Sequence, residues 1–333
     1  MSQKFKVVIT DFIADGDTAP EQTALGDIAT IHALDAFSEA DLVGKIEDAD
    51  AVMLYHNLSL TAATIDRLKK CKLIVRCGVG FDNVDRVLAR KKGIAVANVP
   101  DYGTEEVADS AIGLMLTLTR GIHQLNSMLR DSPGKPWMYL PVAPLHRLRG
   151  QTFGVLGLGR IGKAAALRAK ALGMHVIFYD PYVADGLDKA LGVTRVESLM
   201  ELLTASDVLS CHTYLSEETK HIIDAAAIQW MKRGSFLINT SRGAVVDTSA
   251  IPEAIVSGQL AGAGIDVLAV EPPTEDNPLI AAWRDPKNPC HHAVVINPHS
   301  AFYSVEGLSD MRTKGAATVR NALLGKPMRN IVN

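Results

Sequence analysis

Gly157-Leu158-Gly159-Arg160-Ile161-Gly162 decides the fold because of what flanks it. The apolar run 153–156 reads as a strand that enters the first glycine directly. Residues 163–172 are rich in strong helix formers and apolar on one face, and 174–179 reads as a second strand ending at Asp180. Strand, glycine turn, helix, strand and acid follow in the order that dinucleotide binding requires. Gly157 permits the tight turn, Gly159 lets the backbone approach a pyrophosphate, and Gly162 lets helix and strand pack closely. The N–H groups that open the helix then meet phosphate charge. Asp180 stands where a carboxylate accepts hydrogen bonds from both adenosine ribose hydroxyls and repels a 2′-phosphate. The cofactor expected is therefore NAD rather than NADP.

A chain of 333 residues exceeds one typical core and implies two domains. Hydrophobic content of 47% with 21% charged residues suits a globular protein, and a net charge of −3 gives no reason to expect nucleic acid or an anionic membrane as partner. Cys71, Cys77, Cys211 and Cys290 form no CxxC pair and no zinc-type spacing, which fits a reducing compartment. The alternation Phe5, Val7, Ile9 leading into Asp11 is a strand and not a signal peptide, and no apolar run approaches the roughly 20 residues of a membrane span. The expectation is a soluble cytoplasmic protein.

Short apolar runs alternate with helix-like segments throughout, the pattern of parallel α/β domains. Strands are expected at 5–9, 29–34, 51–54, 72–75 and 94–97, then at 153–156, 175–179, 208–212, 236–239, 262–265 and 294–296. Between the groups, 104–129 reads as one buried helix opened by Glu105-Glu106 and stopped by Asp131-Ser132-Pro133-Gly134-Lys135-Pro136. A closing helix over 305–324 would pack Ala316, Ala317, Val319 and Leu323. The fold class expected is α/β with two doubly wound parallel sheets. A Rossmann NAD domain (102–301) interrupts a flavodoxin-like substrate domain (1–101 with 302–333), and the cleft between them is the default ligand site.

Three segments end predicted strands after the glycine turn: Asn239-Thr240-Ser241-Arg242-Gly243, Asp266 to Pro272, and Asn297-Pro298-His299-Ser300-Ala301. They bring a guanidinium, a carboxylate and an imidazole to the sheet edge where ligands collect. Arg242 suits a bidentate grip on a carboxylate, and His299 is of the residue type that gives and takes a proton in acid–base catalysis. Glu271, accepting from the other ring nitrogen, would set the ring's orientation and support its protonated form. Each residue taken singly also has a plain structural reading: a surface ion pair for Arg242, a loop position before Pro272-Pro273 for Glu271, a satisfied histidine after Pro298. Their joint occurrence at three successive strand ends favours chemistry. Cys290-His291-His292 lacks a full ligand set and reads as a surface loop, so no metal is expected.

Further stretches carry a resemblance: Leu54-Tyr55-His56-Asn57, Ile74 to Asn83 (Ile-Val-Arg-Cys-Gly-Val-Gly-Phe-Asp-Asn), Asn98-Val99-Pro100, Thr104 to Asp109 and Phe178 to Tyr182. With Asn239 to Gly243 and Pro298 to Ala301, they make the chain resemble the D-isomer-specific 2-hydroxyacid dehydrogenases over nearly its whole length, closest to the C-terminal-binding protein branch. The resemblance implies that Arg242, Glu271 and His299 are the catalytic arginine, glutamate and histidine. It implies that the amides of Val79 and Gly80, assisted by Arg76, hold the substrate carboxylate. Val107 would pack on the nicotinamide, while Thr213, Thr240, Ser241, Asp266 and the Arg160-Ile161 pair line the cofactor groove with Arg242 and His299. It further implies homodimerisation through the nucleotide domain and a small 2-oxo or (R)-2-hydroxy acid as substrate.

Against the family pattern, His212-Thr213-Tyr214 replaces His-x-Pro, and Phe302 stands where the co-repressor branch has tryptophan. The segment 281–293 is longer than usual. An alternative function is an NAD-sensing scaffold like the animal co-repressors, although the chain ends at Asn333 without a long disordered tail. Action on another small acid such as phosphite is a further alternative. Formate oxidation needs no proton donor, which the Glu271–His299 pair argues against, and an ACT-type regulatory domain has no room.

Overall fold

A computed structural model describes residues 4–132 and 137–333. The chain divides into two compact units, Met1–Gly103 with Tyr303–Asn333, and Thr104–Phe302. Each is an α/β layer structure on a sheet whose strands pair in parallel, and in the first unit Ile331 adds an antiparallel bridge to Ala97.

In the first unit the strands are β1 (Phe5–Ile9), β2 (Ala29–Ala33), β3 (Ala51–Leu54), β4 (Leu73–Arg76) and β5 (Ala95–Asn98), in the order β2-β1-β3-β4-β5. That is the flavodoxin-like order, with its switch point between β1 and β3. β3 and β4 are buried at every position, as strands covered on both faces must be. The helix Val305–Leu323 buries Met311, Gly315, Ala316, Val319 and Leu323. Ala317 is exposed, which corrects the expected packing set: it lies one residue, or about 100° of helix, beyond the buried stripe. Arg312 on this helix grips Glu21, with Nε–Oε1 at 2.6 Å and a second nitrogen at 2.7 Å from Oε2, and Glu21 is fully buried.

The second unit holds β6 (Thr152–Leu156), β7 (His175–Tyr179), β8 (Thr194–Arg195), β9 (Val208–Cys211), β10 (Ser235–Asn239), β11 (Leu260–Ile265) and β12 (Val294–Ile296). Their order, β12-β11-β10-β9-β6-β7-β8, is the Rossmann order with one added edge strand. β8 was not foreseen, because two residues at a sheet edge carry no apolar run. The single helix expected over 104–129 is two helices, Thr104–Thr119 and Ile122–Asp131. Gly121 breaks it at φ 60°, where a Cβ would stand 2.7 Å from Val142 Cγ1. The first helix buries Val107, Ala108, Ala111, Ile112, Leu114, Met115 and Leu118, whereas the second buries nothing. Its foreseen stop falls partly on 133–136, outside the described residues. Cys290-His291-His292 lies in a short helix, Cys290–Ala293, with Cys290 fully buried, and is therefore not a surface loop. Among the described residues no His, Cys, Asp and Glu group could hold a metal ion, and no helix is long and apolar enough to cross a membrane.

Removing one partner of a buried ion pair leaves a charge without its counterion. Arg312→Ala should destabilise the first unit by about 3 kcal/mol in chemical denaturation, and a loss below about 1 kcal/mol would show that the Glu21 pair holds little.

Candidate active site

At the end of β6, Gly157 takes φ 90° and donates its amide to Tyr179 O at 3.0 Å. A Cβ there would meet Thr213 Cα and N at 3.0 Å, so the loops after β6 and β9 touch through backbone. A Cβ on Gly162 would lie 2.1 Å from Gly157 O, the close helix–strand packing foreseen for it. Gly159 differs: a Cβ would meet nothing within 4 Å. It caps the helix Arg160–Ala171, whose first residue is exposed and whose second is half-buried. Open space in front of a helix N-terminus suits an approaching phosphate. Asp180 at the end of β7 ties the turn down, accepting from Leu158 N at 2.8 Å and Tyr182 N at 2.9 Å.

Beyond β9, His212 Nε2 meets Ser210 Oγ at 2.8 Å, and burial pushes the imidazole pKa down to about 4. His212 Nδ1 and the buried Thr240 Oγ1 have no hydrogen-bond partner among the described residues. Thr213 is half-buried, its hydroxyl 3.3 Å from Tyr214 O. The unpaired His212 nitrogen beside the glycine turn and the unpaired Thr240 hydroxyl past β10 fit a polar ligand such as a dinucleotide.

The loops after β10, β11 and β12 interlock. Asn239, fully buried, accepts from Ser241 N at 3.0 Å and Ser241 Oγ at 2.8 Å, and donates to Arg242 O at 3.0 Å. A Cβ on Gly243 would sit 1.9 Å from the Leu268 carbonyl carbon, so only glycine lets the Arg242 turn rest on the next loop. Leu268 N in turn donates to Glu271 Oε1 at 2.7 Å. Asp266, at the end of β11, accepts from Ser300 N at 3.0 Å and Ala301 N at 3.1 Å, while its carbonyl accepts from His299 N at 2.7 Å. His299 is bent to φ 51° by this grip, and its Nδ1 lies 2.7 Å from Glu271 Oε2. The Phe302 ring stands edge-on to the imidazole, centroids 6.1 Å apart.

Burial raises the Asp266 carboxyl above its ordinary pKa, with Glu271 adding to the rise, against the opposing Ser300 and Ala301 amides and the His299 charge. Burial also acts to raise Glu271, but the His299 hydrogen bond and charge, the Leu268 amide and the Arg242 charge outweigh it and hold Glu271 below the ordinary range. Glu271 is thus kept as a carboxylate where a histidine can donate to it.

In the first unit, Arg76 ends β4 almost fully buried, with Nε 3.4 Å from Asn83 Oδ1 and a terminal nitrogen 3.3 Å from Cys77 O. Its guanidinium lies over Gly78, where a Cβ would fall 1.5 Å from it. Asn98 Nδ2 donates to Val79 O at 2.7 Å, fixing the turn, and Val79 and Gly80 are half-buried. The structure therefore gathers Arg242, Asp266, Glu271, His299 and Phe302 in one set of loops and Arg76, Val79 and Gly80 in another. Val107 is buried within its helix. Asn239, Gly243 and Asn83 are organising residues that the pattern of the chain did not single out by role. Their types, asparagine and glycine just past strand ends, were the available signal.

The family model for the D-isomer specific 2-hydroxyacid dehydrogenase, NAD binding domain, matches residues 112–301. The chain is 34% identical over 321 residues to C-terminal-binding protein 1 of Caenorhabditis elegans, covering 94% of this chain and 43% of that protein. It is 33% identical over 309 residues to D-3-phosphoglycerate dehydrogenase of Methanocaldococcus jannaschii, covering 93% of this chain and 56% of the other. The chain thus spans about half the length of these curated relatives. D-lactate dehydrogenase from Aquifex aeolicus, solved with NAD and lactic acid, shares the fold at TM-score 0.85 and 29% identity, with 96% of each chain covered.

The two glycines should separate fold from binding. Gly162→Ala should cost about 1–3 kcal/mol in chemical denaturation through overpacking. Gly159→Ala should leave stability within about 0.5 kcal/mol yet weaken NADH binding, read as protein-to-NADH fluorescence transfer. Equal stability losses in both variants would contradict the assignment.

Proposed function

The chain belongs to the D-isomer specific 2-hydroxyacid dehydrogenase family, and from that premise we propose that it interconverts a small (R)-2-hydroxy acid and its 2-oxo acid with NAD. The observation that carries the proposal is the His299–Glu271 pair at 2.7 Å, on loops locked to the one bearing Arg242. Bound NAD supplies the hydride acceptor, and its reduced form the donor. His299 protonates the carbonyl oxygen in reduction and removes the hydroxyl proton in oxidation. Glu271, occupied at Nδ1, makes Nε2 the nitrogen that exchanges the proton. Arg242 orients the substrate by its charge, and Arg76 with the amides of Val79 and Gly80 receives the substrate carboxylate. Phe302 supplies an apolar wall beside the imidazole.

On this reading the cofactor is held by Gly157, Gly159 and Gly162 with Arg160 and Ile161 at the pyrophosphate. Asp180 takes the ribose and disfavours NADP. Thr213, Thr240, Ser241, Arg242, Asp266, Val107 and His299 face the remainder. The first unit is then the substrate domain and the second the NAD domain. The scaffold reading draws on the 34% identity to C-terminal-binding protein 1, but the assembled Arg242, Glu271 and His299 set favours turnover.

NADH oxidation should be seen with at least one of glyoxylate, pyruvate, hydroxypyruvate and phenylpyruvate, and His299→Ala should lower kcat about 10²–10⁴-fold. No turnover across that panel, or no loss in the variant, would sink the proposal.

We also propose that the protein is a homodimer through the NAD unit, where Ile122, Trp137, Met138, Tyr139 and Leu140 are all exposed apolar side chains. Sedimentation velocity should give a dimer for the wild type and a monomer for Trp137→Glu/Tyr139→Glu; a monomeric wild type would refute it.

A further inference from the structure

In the first unit, the chain leaves β1 toward one flank of the sheet and β3 toward the other, which makes their shared carboxyl edge the topological switch point. β1 runs into Asp11 and Phe12, and β3 into Tyr55 and His56. Phe12 holds φ 77°, a region that a bulky side chain avoids. Its ring stacks on Tyr55 at 4.9 Å between centroids and 17° between planes, and lies 5.0 Å from the His56 ring at 58°. Phe12 and His56 are half-buried, whereas Tyr55 beneath is fully buried.

The cluster is held from behind. Asp11 accepts from Tyr55 N at 2.8 Å, Asn57 N at 2.7 Å and Thr10 Oγ1 at 2.7 Å. The Tyr55 hydroxyl donates to Glu21 at 3.2 Å, the carboxylate that Arg312 grips. Asn83 donates to Tyr55 O and Leu58 O at 2.9 Å and meets Arg76 through its oxygen, so the rings and the Arg76 turn are built on one side chain. A glycine would hold φ 77° without strain. The strained phenylalanine, stacked on Tyr55 yet not fully buried, calls for a functional account.

We propose that Phe12 and His56 form the wall that receives the substrate side chain and select 2-oxo acids with an aromatic side chain. This rests on the dehydrogenase reading above, in which Arg76 receives the carboxylate of the same molecule. An aromatic side chain placed on the outer face of Phe12 continues the stack that Phe12 makes with Tyr55.

The test compares wild type with Phe12→Gly, which relieves the backbone, and Phe12→Leu, which keeps an apolar side chain. The ratio of kcat/KM for phenylpyruvate to that for glyoxylate should fall about tenfold in Phe12→Gly, with less loss in Phe12→Leu and no fall in the thermal midpoint of the glycine variant. An unchanged ratio, or equal losses on both acids, would overturn the proposal. Phenylpyruvate binding to the NADH-loaded protein, followed at the His56 ring protons by NMR, gives a readout independent of turnover. Binding weakened tenfold by Phe12→Gly, in a wild type that turns nothing over, would uphold this wall and reject the dehydrogenase reading. Binding indifferent to the substitution would reject the wall.

Discussion

The buried carboxylate of Asp266 is the constraint on which the candidate site depends. Two successive amides, those of Ser300 and Ala301, converge on it, and its own carbonyl takes the His299 amide. These three bonds bend His299 into a left-handed backbone conformation and so fix where its ring starts. Only with that direction set can Nδ1 reach Glu271, which the Leu268 amide holds from its other oxygen. Desolvating Asp266 is unfavourable for its charged form, and the amides oppose it in part.

The same device recurs at the ends of β1, β7 and β10. A strand leaving the ladder releases amides that have no further strand partner, and those amides still need acceptors. Asp180 takes Leu158 N, Asp11 takes Tyr55 N and Asn57 N, and Asn239 takes Ser241 N. Aspartate and asparagine are short enough to reach backbone one strand away without swinging loose. The side chains proposed to bind or react stand beside these acceptors, on loops rigid enough to aim them. Gly243 serves the arrangement by absence, since any side chain there would collide with the Leu268 backbone.

Much of this was legible in the chain. The glycine turn, Asp180 and the three strand-end motifs announce themselves through residue types whose conformational or chemical range is narrow. Eleven of the strand positions follow from apolar runs bounded by turn residues. The two-residue β8 does not, because an edge strand that buries little needs no apolar pattern. Nor does the break at Gly121, since an isolated glycine inside a helical pattern is tolerated often enough to be passed over.

What the sequence determined by itself was therefore the alternation of strands with helical segments apart from β8 and the Gly121 break, the dinucleotide turn and the identity of the reactive groups, because each is written in short-range spacing. Tertiary structure alone decided that Gly243 lies against Leu268, that the Asp266 carboxylate turns His299 toward Glu271, and that Phe12 is strained over Tyr55 beside His56. Those pairings join residues from 25 to 44 positions apart. No local preference encodes them; they exist only once parallel strands have brought their carboxyl ends to a common edge.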